Sequence, residues 1–129
     1  MVQWHSDLHK RKKTGGRKRP WRKKRRYERG GVPIETLPSE TVKRRVDKVK
    51  GGIIKVRLLR GNDVNLYVPK ENVVIKSKIT RVLENPSNRD YSRRGVITKG
   101  AIIMTEHGKA VVSSRPGQNG VINARLLQD

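Results

Sequence analysis

The sequence contains no cysteine and no phenylalanine, and only 11 acidic residues in 129. Without cysteine there are no disulfides, thiolate metal sites or cysteine nucleophiles, and nothing points to an oxidising compartment. No apolar run approaches the roughly 18 residues of a membrane span, and the N-terminus lacks the apolar core of a secretory signal. The expected location is therefore cytosolic, or nuclear in a cell with a nucleus. The scarcity of acids sets the charge balance: 32 Lys and Arg leave a formal net charge of +21 and a pI near 11.3, the electrostatic footprint of a nucleic-acid partner.

That charge is concentrated at one end. Thirteen of the Lys and Arg lie between Lys10 and Arg29, and Asp7 and Glu28 are the only acids in the first thirty positions, so residues 1–31 carry +11. A solvated cationic helix would need an apolar stripe or acids four residues from its bases. Leu8 is the only aliphatic between Gln3 and Gly31, while Gly15, Gly16 and Pro20 interrupt any helix. A segment this polar cannot bury enough apolar surface to offset its ordering entropy, so the composition predicts a long basic, intrinsically disordered N-terminal arm over 1–31.

The residue types in the arm suit RNA. Arg17, Arg19, Arg22, Arg25, Arg26 and Arg29 present guanidinium forks that bind phosphate bidentately and stack on bases, and Arg11 adds another. Lys10, Lys12, Lys13, Lys18, Lys23 and Lys24 supply point charges. Trp4, Trp21 and Tyr27 are interleaved with them as platforms for unstacked nucleotides. Thr14, Gly15 and Gly16 let the chain turn sharply or approach a sugar-phosphate backbone. His5 and His9, four residues apart, are better placed to meet phosphate or a base than a metal ion, because cations surround them and no further ligand follows.

Beyond the arm, residues 32–40 hold Pro33 and Pro38 and read as an extended connector. From Thr41 to Asp129, 27 of 89 residues are Val, Ile or Leu, with no Phe or Trp, which predicts strands around an aliphatic core. Turn signals recur at Gly51-Gly52, Gly61-Asn62-Asp63, Pro69, Asn85-Pro86-Ser87-Asn88, Gly95, His107-Gly108 and Pro116-Gly117. They delimit seven expected strands: 41–49 as an edge with Val42 and Val46 inward, 53–59, 64–68, 73–83 with a bulge between Ile79 and Val82, 96–105, 110–113 and 121–127. In the second, Ile54, Val56 and Leu58 share one face and Lys55 and Arg57 the other. The expected fold class is all-β: a small closed or partly open β-barrel over 41–129, without a helix.

No catalytic constellation emerges. Thr14-Gly15-Gly16-Arg17-Lys18 has the wrong spacing for a phosphate-binding loop, His107 reads as a turn residue, and Glu84 and Asp90 merely bracket a loop. The chain is expected to be no enzyme and to need no cofactor, metal or small-molecule substrate. Two further stretches invite RNA contact beside a plain structural reading: the loop carrying Arg89, Tyr91, Arg93 and Arg94, and Arg115 in the turn that starts at Ser113.

The arm, read from Arg11 to Gly30 as RKKTGGRKRPWRKKRRYERG, resembles the signature of small-subunit ribosomal protein eight of the archaeal and eukaryotic type, the S-eight-e family. Lys48-Val49-Lys50-Gly51-Gly52, followed by Lys55 and the Arg57-Leu58-Leu59-Arg60 run, then Asn85-Pro86-Ser87-Asn88, then Ser114-Arg115-Pro116-Gly117-Gln118 extend the resemblance in order. It implies a structural component of the small ribosomal subunit that binds ribosomal RNA, lies beside other ribosomal proteins in the cytoplasm and touches no membrane. Lys55, Arg57 and Arg60 then join the arm as candidate RNA contacts. The long insertion of eukaryotic members is missing between Glu106 and Ser113, as in the short archaeal form. Related ribosome-assembly factors share the fold and parts of the signature, so a transient assembly role is the first alternative. A general polyanion or membrane-surface module is the second.

Overall fold

The structure, a computed structural model, describes residues 3–127, so the extreme ends of the expected arm and barrel domains lie outside the described residues. The chain divides into two compact units, Met1–Pro33 and Ile34–Asp129.

In the second unit seven strands follow one another: β1 Lys43–Lys48, β2 Ile54–Arg60, β3 Asp63–Val68, β4 Val73–Glu84, β5 Ile102–Thr105, β6 Gly108–Val112 and β7 Asn123–Leu126. Strands β3 to β7 form a closed barrel in sequence order, sealed by parallel pairing of β3 with β7 from Asn65↔Asn123 to Tyr67↔Arg125. Closure leaves these five strands without an open edge. The apolar core is aliphatic, as the lack of Phe and Trp in this unit requires: Leu66, Ala101, Ile103 and Ala110 are fully buried, and Leu58, Val64, Ile79, Val112, Ile122 and Ala124 pack with them.

Twelve residues are too many for one straight strand of so small a barrel, and β4 bends. Its register against β5 shifts between Ile79 and Arg81 and again between Val82 and Glu84. The first shift falls where the apolar phase of the sequence predicts a bulge.

In this unit the structure corrects the sequence reading in four places. The barrel has five strands, because β1 and β2 form a separate two-stranded sheet. Val42 and Val46 are exposed, at 43% and 63%, because among the described residues the sheet face that carries Val46 meets the core only at its Leu58 end. The expected strand over 96–105 shortens to β5: Gly100 adopts φ +87°, and Ala101 N–H closes a turn onto Thr98 O at 3.1 Å. Two short helices appear where loops are expected, α1 Arg89–Arg94 and α2 Pro116–Asn119. Asn88 caps α1 by accepting the Asp90 N–H at 2.9 Å, Gly95 ends it in the left-handed region, and Pro116 starts α2 from its first position.

Residues after Pro33 are tied to this unit. Ile97 N–H donates to Thr36 O at 2.8 Å, and buried Thr36 donates through Oγ1 to Leu58 O at 2.8 Å. Asn85 is a second buried anchor. Its Nδ2 donates to Val96 O at 2.8 Å, while its Oδ1 accepts from Ser87 N–H at 3.1 Å and Thr98 Oγ1 at 3.0 Å.

Candidate nucleic-acid interface

The first unit is built almost without a core, so polar and cation–π contacts give it its path. Its two ends pair: His5 N–H donates to Glu28 O and Gly30 N–H to Gln3 O, both at 2.7 Å, around an antiparallel Trp4↔Arg29 bridge. Gly30 fits there because a Cβ would lie 2.8 Å from the His5 ring and 3.1 Å from Gln3 O. Inside the loop so closed, Arg11 and Arg17 bridge across a tight turn. Lys12 N–H donates to Gly16 O and Gly15 N–H to Lys12 O, both at 2.9 Å, with Gly15 at φ +82°. Arg11 also donates to Gly15 O at 3.2 Å. The structure does not show the disorder expected of this segment.

Glu28 is the hub. Its carboxylate pairs with Arg22 and accepts the Arg25 backbone N–H at 3.0 Å. These two donors, the Arg25 N–H first, hold its carboxyl below the ordinary glutamate value. Lys10, 3.1 Å from Asp7, lowers that carboxyl in the same way. Held by Glu28, the Arg22 guanidinium lies over Trp21 at 4.9 Å and over Tyr27 at 5.5 Å from the ring centroids. Lys24 Nζ lies 5.2 Å from the half-buried Trp4 ring. Trp21 and Tyr27 remain 86% and 70% exposed, which leaves ring faces open to stacking.

Around them runs an open cleft of about 900 Å³ lined by Trp4, His5, His9, Lys12, Arg17, Lys18, Arg19, Trp21, Arg22 and Lys24. His9 is turned to the Ser6 carbonyl, its Nδ1 at 2.9 Å. Lys10, Lys13, Thr14, Gly16, Lys23, Arg25, Arg26 and Arg29 are exposed.

On the barrel unit the predicted residues divide. Arg60, Arg89 and Arg115 are exposed and make no ion pair among the described residues. Lys55 is exposed and donates to Gln118 Oε1 at 3.1 Å. Arg57 is partly buried: Nη1 donates to Gly117 O at 3.2 Å and Nε pairs with Asp47 at 2.8 Å, joining β1, β2 and α2. Arg93 pairs with Asp90 at 2.8 Å. Arg94 sits between Glu35 and Asp90, which raise its pKa above the ordinary arginine value, and lies over the Tyr91 ring at 5.5 Å. Sequence reasoning missed Lys76 and Lys78, which project outward beside buried Ser77 on β4. Strict alternation in that strand was the available signal.

Among the described residues no group of three or more His, Cys, Asp and Glu is placed to hold a metal ion. A small aliphatic barrel and a cation-dense arm with open aromatic faces define a strongly basic, mostly β protein with an exposed cationic segment. The chain belongs to the ribosomal protein S8e family, whose model matches residues 5–127. It is 50% identical over 119 residues to the small ribosomal subunit protein eS8 of Sulfolobus acidocaldarius, covering 92% of this chain and 93% of that one. The eS8 proteins of Ignicoccus hospitalis (53% over 116 residues, 89% of each chain) and Methanococcus vannielii (46% over 120 residues, 93% of this chain and 94% of that one) are similar to most of the chain as well.

Proposed function

We propose that the protein is a non-enzymatic constituent of the small ribosomal subunit, in the cytoplasm, and that it binds ribosomal RNA through its arm and through the exposed bases of the barrel unit. Family membership supports the structural role in the subunit. The observation that carries RNA binding is the arm itself: thirteen bases against two acids, with Trp21 and Tyr27 held open. Lys and Arg neutralise phosphates and release counterions, which supplies most of the affinity, and RNA shape supplies most of the selectivity. Exposed arm cations repel one another in the free protein, so RNA stabilises the arm's folded path and orders whatever part of it is loose beforehand. Neighbouring ribosomal proteins complete the environment.

Sedimentation of the tagged chain from native extract, with a high-salt wash and RNA analysis of each fraction, tests this reading. Stoichiometric retention on mature small subunits is the expected result. Presence only on precursor RNA would assign the chain to assembly, and a position at the top of the gradient would remove it from the ribosome.

A further inference from the structure

The two faces of the β1–β2 sheet are built for different surroundings. Directly opposed residues of an antiparallel pair point the same way, so Val46↔Val56 and Lys48↔Ile54 lie on one face with Arg44↔Leu58, and Asp47↔Lys55 and Arg45↔Arg57 on the other. On the second face each cation has a partner within the chain: Asp47 pairs with Arg45 at 2.6 Å and with Arg57 at 2.8 Å, and Lys55 donates to Gln118 Oε1 at 3.1 Å. On the first face Val46, Ile54 and Val56 stand 63%, 64% and 37% exposed. Arg44 and Lys48 flank them and have no carboxylate partner among the described residues.

The edges differ too. On its far side β2 is engaged by the chain before it, with Leu37 N–H donating to Leu59 O at 3.1 Å and Gly61 N–H to Leu37 O at 3.2 Å. Among the described residues strand β1 pairs with β2 alone, and its outer edge has no ladder partner there. A two-stranded sheet is marginal by itself and gains stability from a third strand or a covered apolar face, and an open edge is a template for an added strand.

From this geometry we infer that β1 and the Val46–Ile54–Val56 face are a docking surface for an extended segment of a neighbouring protein. That segment carries alternate aliphatic side chains flanked by Asp or Glu. Three aliphatics offer neither charge nor hydrogen bond to a phosphate backbone, and their burial against apolar side chains is favourable. The unpaired Arg44 and Lys48 at the ends of the patch select carboxylates. The occupant is thus a protein strand, with the RNA left to the arm and to the other bases.

The inference rests on the proposed place in the small subunit, and its test separates the two. Hydrogen exchange is followed in the wild-type chain, free and within purified small subunits, and a photo-crosslinking phenylalanine replaces Val46 in parallel. Amides of Lys43–Lys48 are expected to exchange at least about tenfold more slowly in the subunit. The crosslink is expected to reach a subunit protein at an aliphatic, acid-flanked segment. Unchanged β1 exchange overturns the docking surface, as does a crosslink to RNA or to a second copy of the chain. Failure of the wild-type chain to enter subunits overturns the proposed function itself.

Discussion

Glu28 is one of two acids among thirteen bases in the arm, and it determines how that arm is arranged. It fixes Arg22 between Trp21 and Tyr27 and closes the 3-10 turn Arg26–Glu28 through the Arg25 N–H. Because its pKa is lowered in the folded arm, its contribution is fully present above the unfolded value of about 4.3 and lost as pH falls through the lowered one. Two outcomes follow in amide dispersion and tryptophan fluorescence of the full chain. Wild type keeps the closed arm at neutral pH and loses it on acidification, whereas Glu28→Gln loses it already at neutral pH. A Glu28→Gln arm as well dispersed as wild type would remove Glu28 from this role. Asn85 acts at the same scale inside the barrel unit. Asn85→Ala leaves the Val96 carbonyl and the Ser87 N–H without their side-chain partner. A buried group stripped of its partner costs about 1–3 kcal/mol; thermal unfolding reads the loss, and an unchanged midpoint would show that water replaces the amide. Composition showed that the arm's bases dominate and left Glu28 as one acid among them, since ordering by a carboxylate depends on which donors the folded chain brings to it.

At the scale of elements, the short helix α2 is held to β2 by close backbone approach. Gly120, at φ +74°, would place a Cβ 3.0 Å from both Val56 Cγ1 and Val56 O. Gly100, at φ +87°, has nothing within 4 Å of the corresponding point. Alanine at either site carries the left-handed penalty of about 1–2 kcal/mol. Gly120→Ala must also displace α2, so it is expected to lower the unfolding midpoint more than Gly100→Ala does; equal midpoints would mean that α2 yields freely. The strands themselves were legible because alternation and turn residues act locally. Ile53 to Arg60 displays its two faces, and the phase change after Ile79 marks the bulge. The division into barrel and separate sheet was not legible, because it depends on β3 meeting β7 across some sixty residues. Val46 was assigned inward for the same reason: alternation identifies a face but does not say whether another layer covers it. Helices α1 and α2 span six and four residues, too short for apolar periodicity to develop, and caps such as Asn88 and Pro116 were their only signal.

At the scale of the whole molecule, two populations of cations must be distinguished. Between Gly31 and Asp129 there are 19 bases and nine acids. Of these bases Arg45, Arg57, Arg93 and Arg94 are engaged in ion pairs or backbone contacts within the unit. The arm has far fewer carboxylates to occupy its bases, so most of its thirteen are free to meet phosphate. The slope of log affinity against log salt reports phosphates neutralised, at about 0.7 to 0.9 per contact. Removing residues 1–31 is therefore expected to flatten that slope by several units and weaken binding to small-subunit ribosomal RNA most strongly at low salt. Arg57→Ala is expected to leave the slope nearly unchanged while lowering thermal stability, because that guanidinium joins β1, β2 and α2. A truncated chain with the full slope would place RNA recognition on the barrel unit and leave the arm's charge without a function in binding. A slope about one unit lower for Arg57→Ala would instead return that residue to the RNA contacts its position in the sequence suggested.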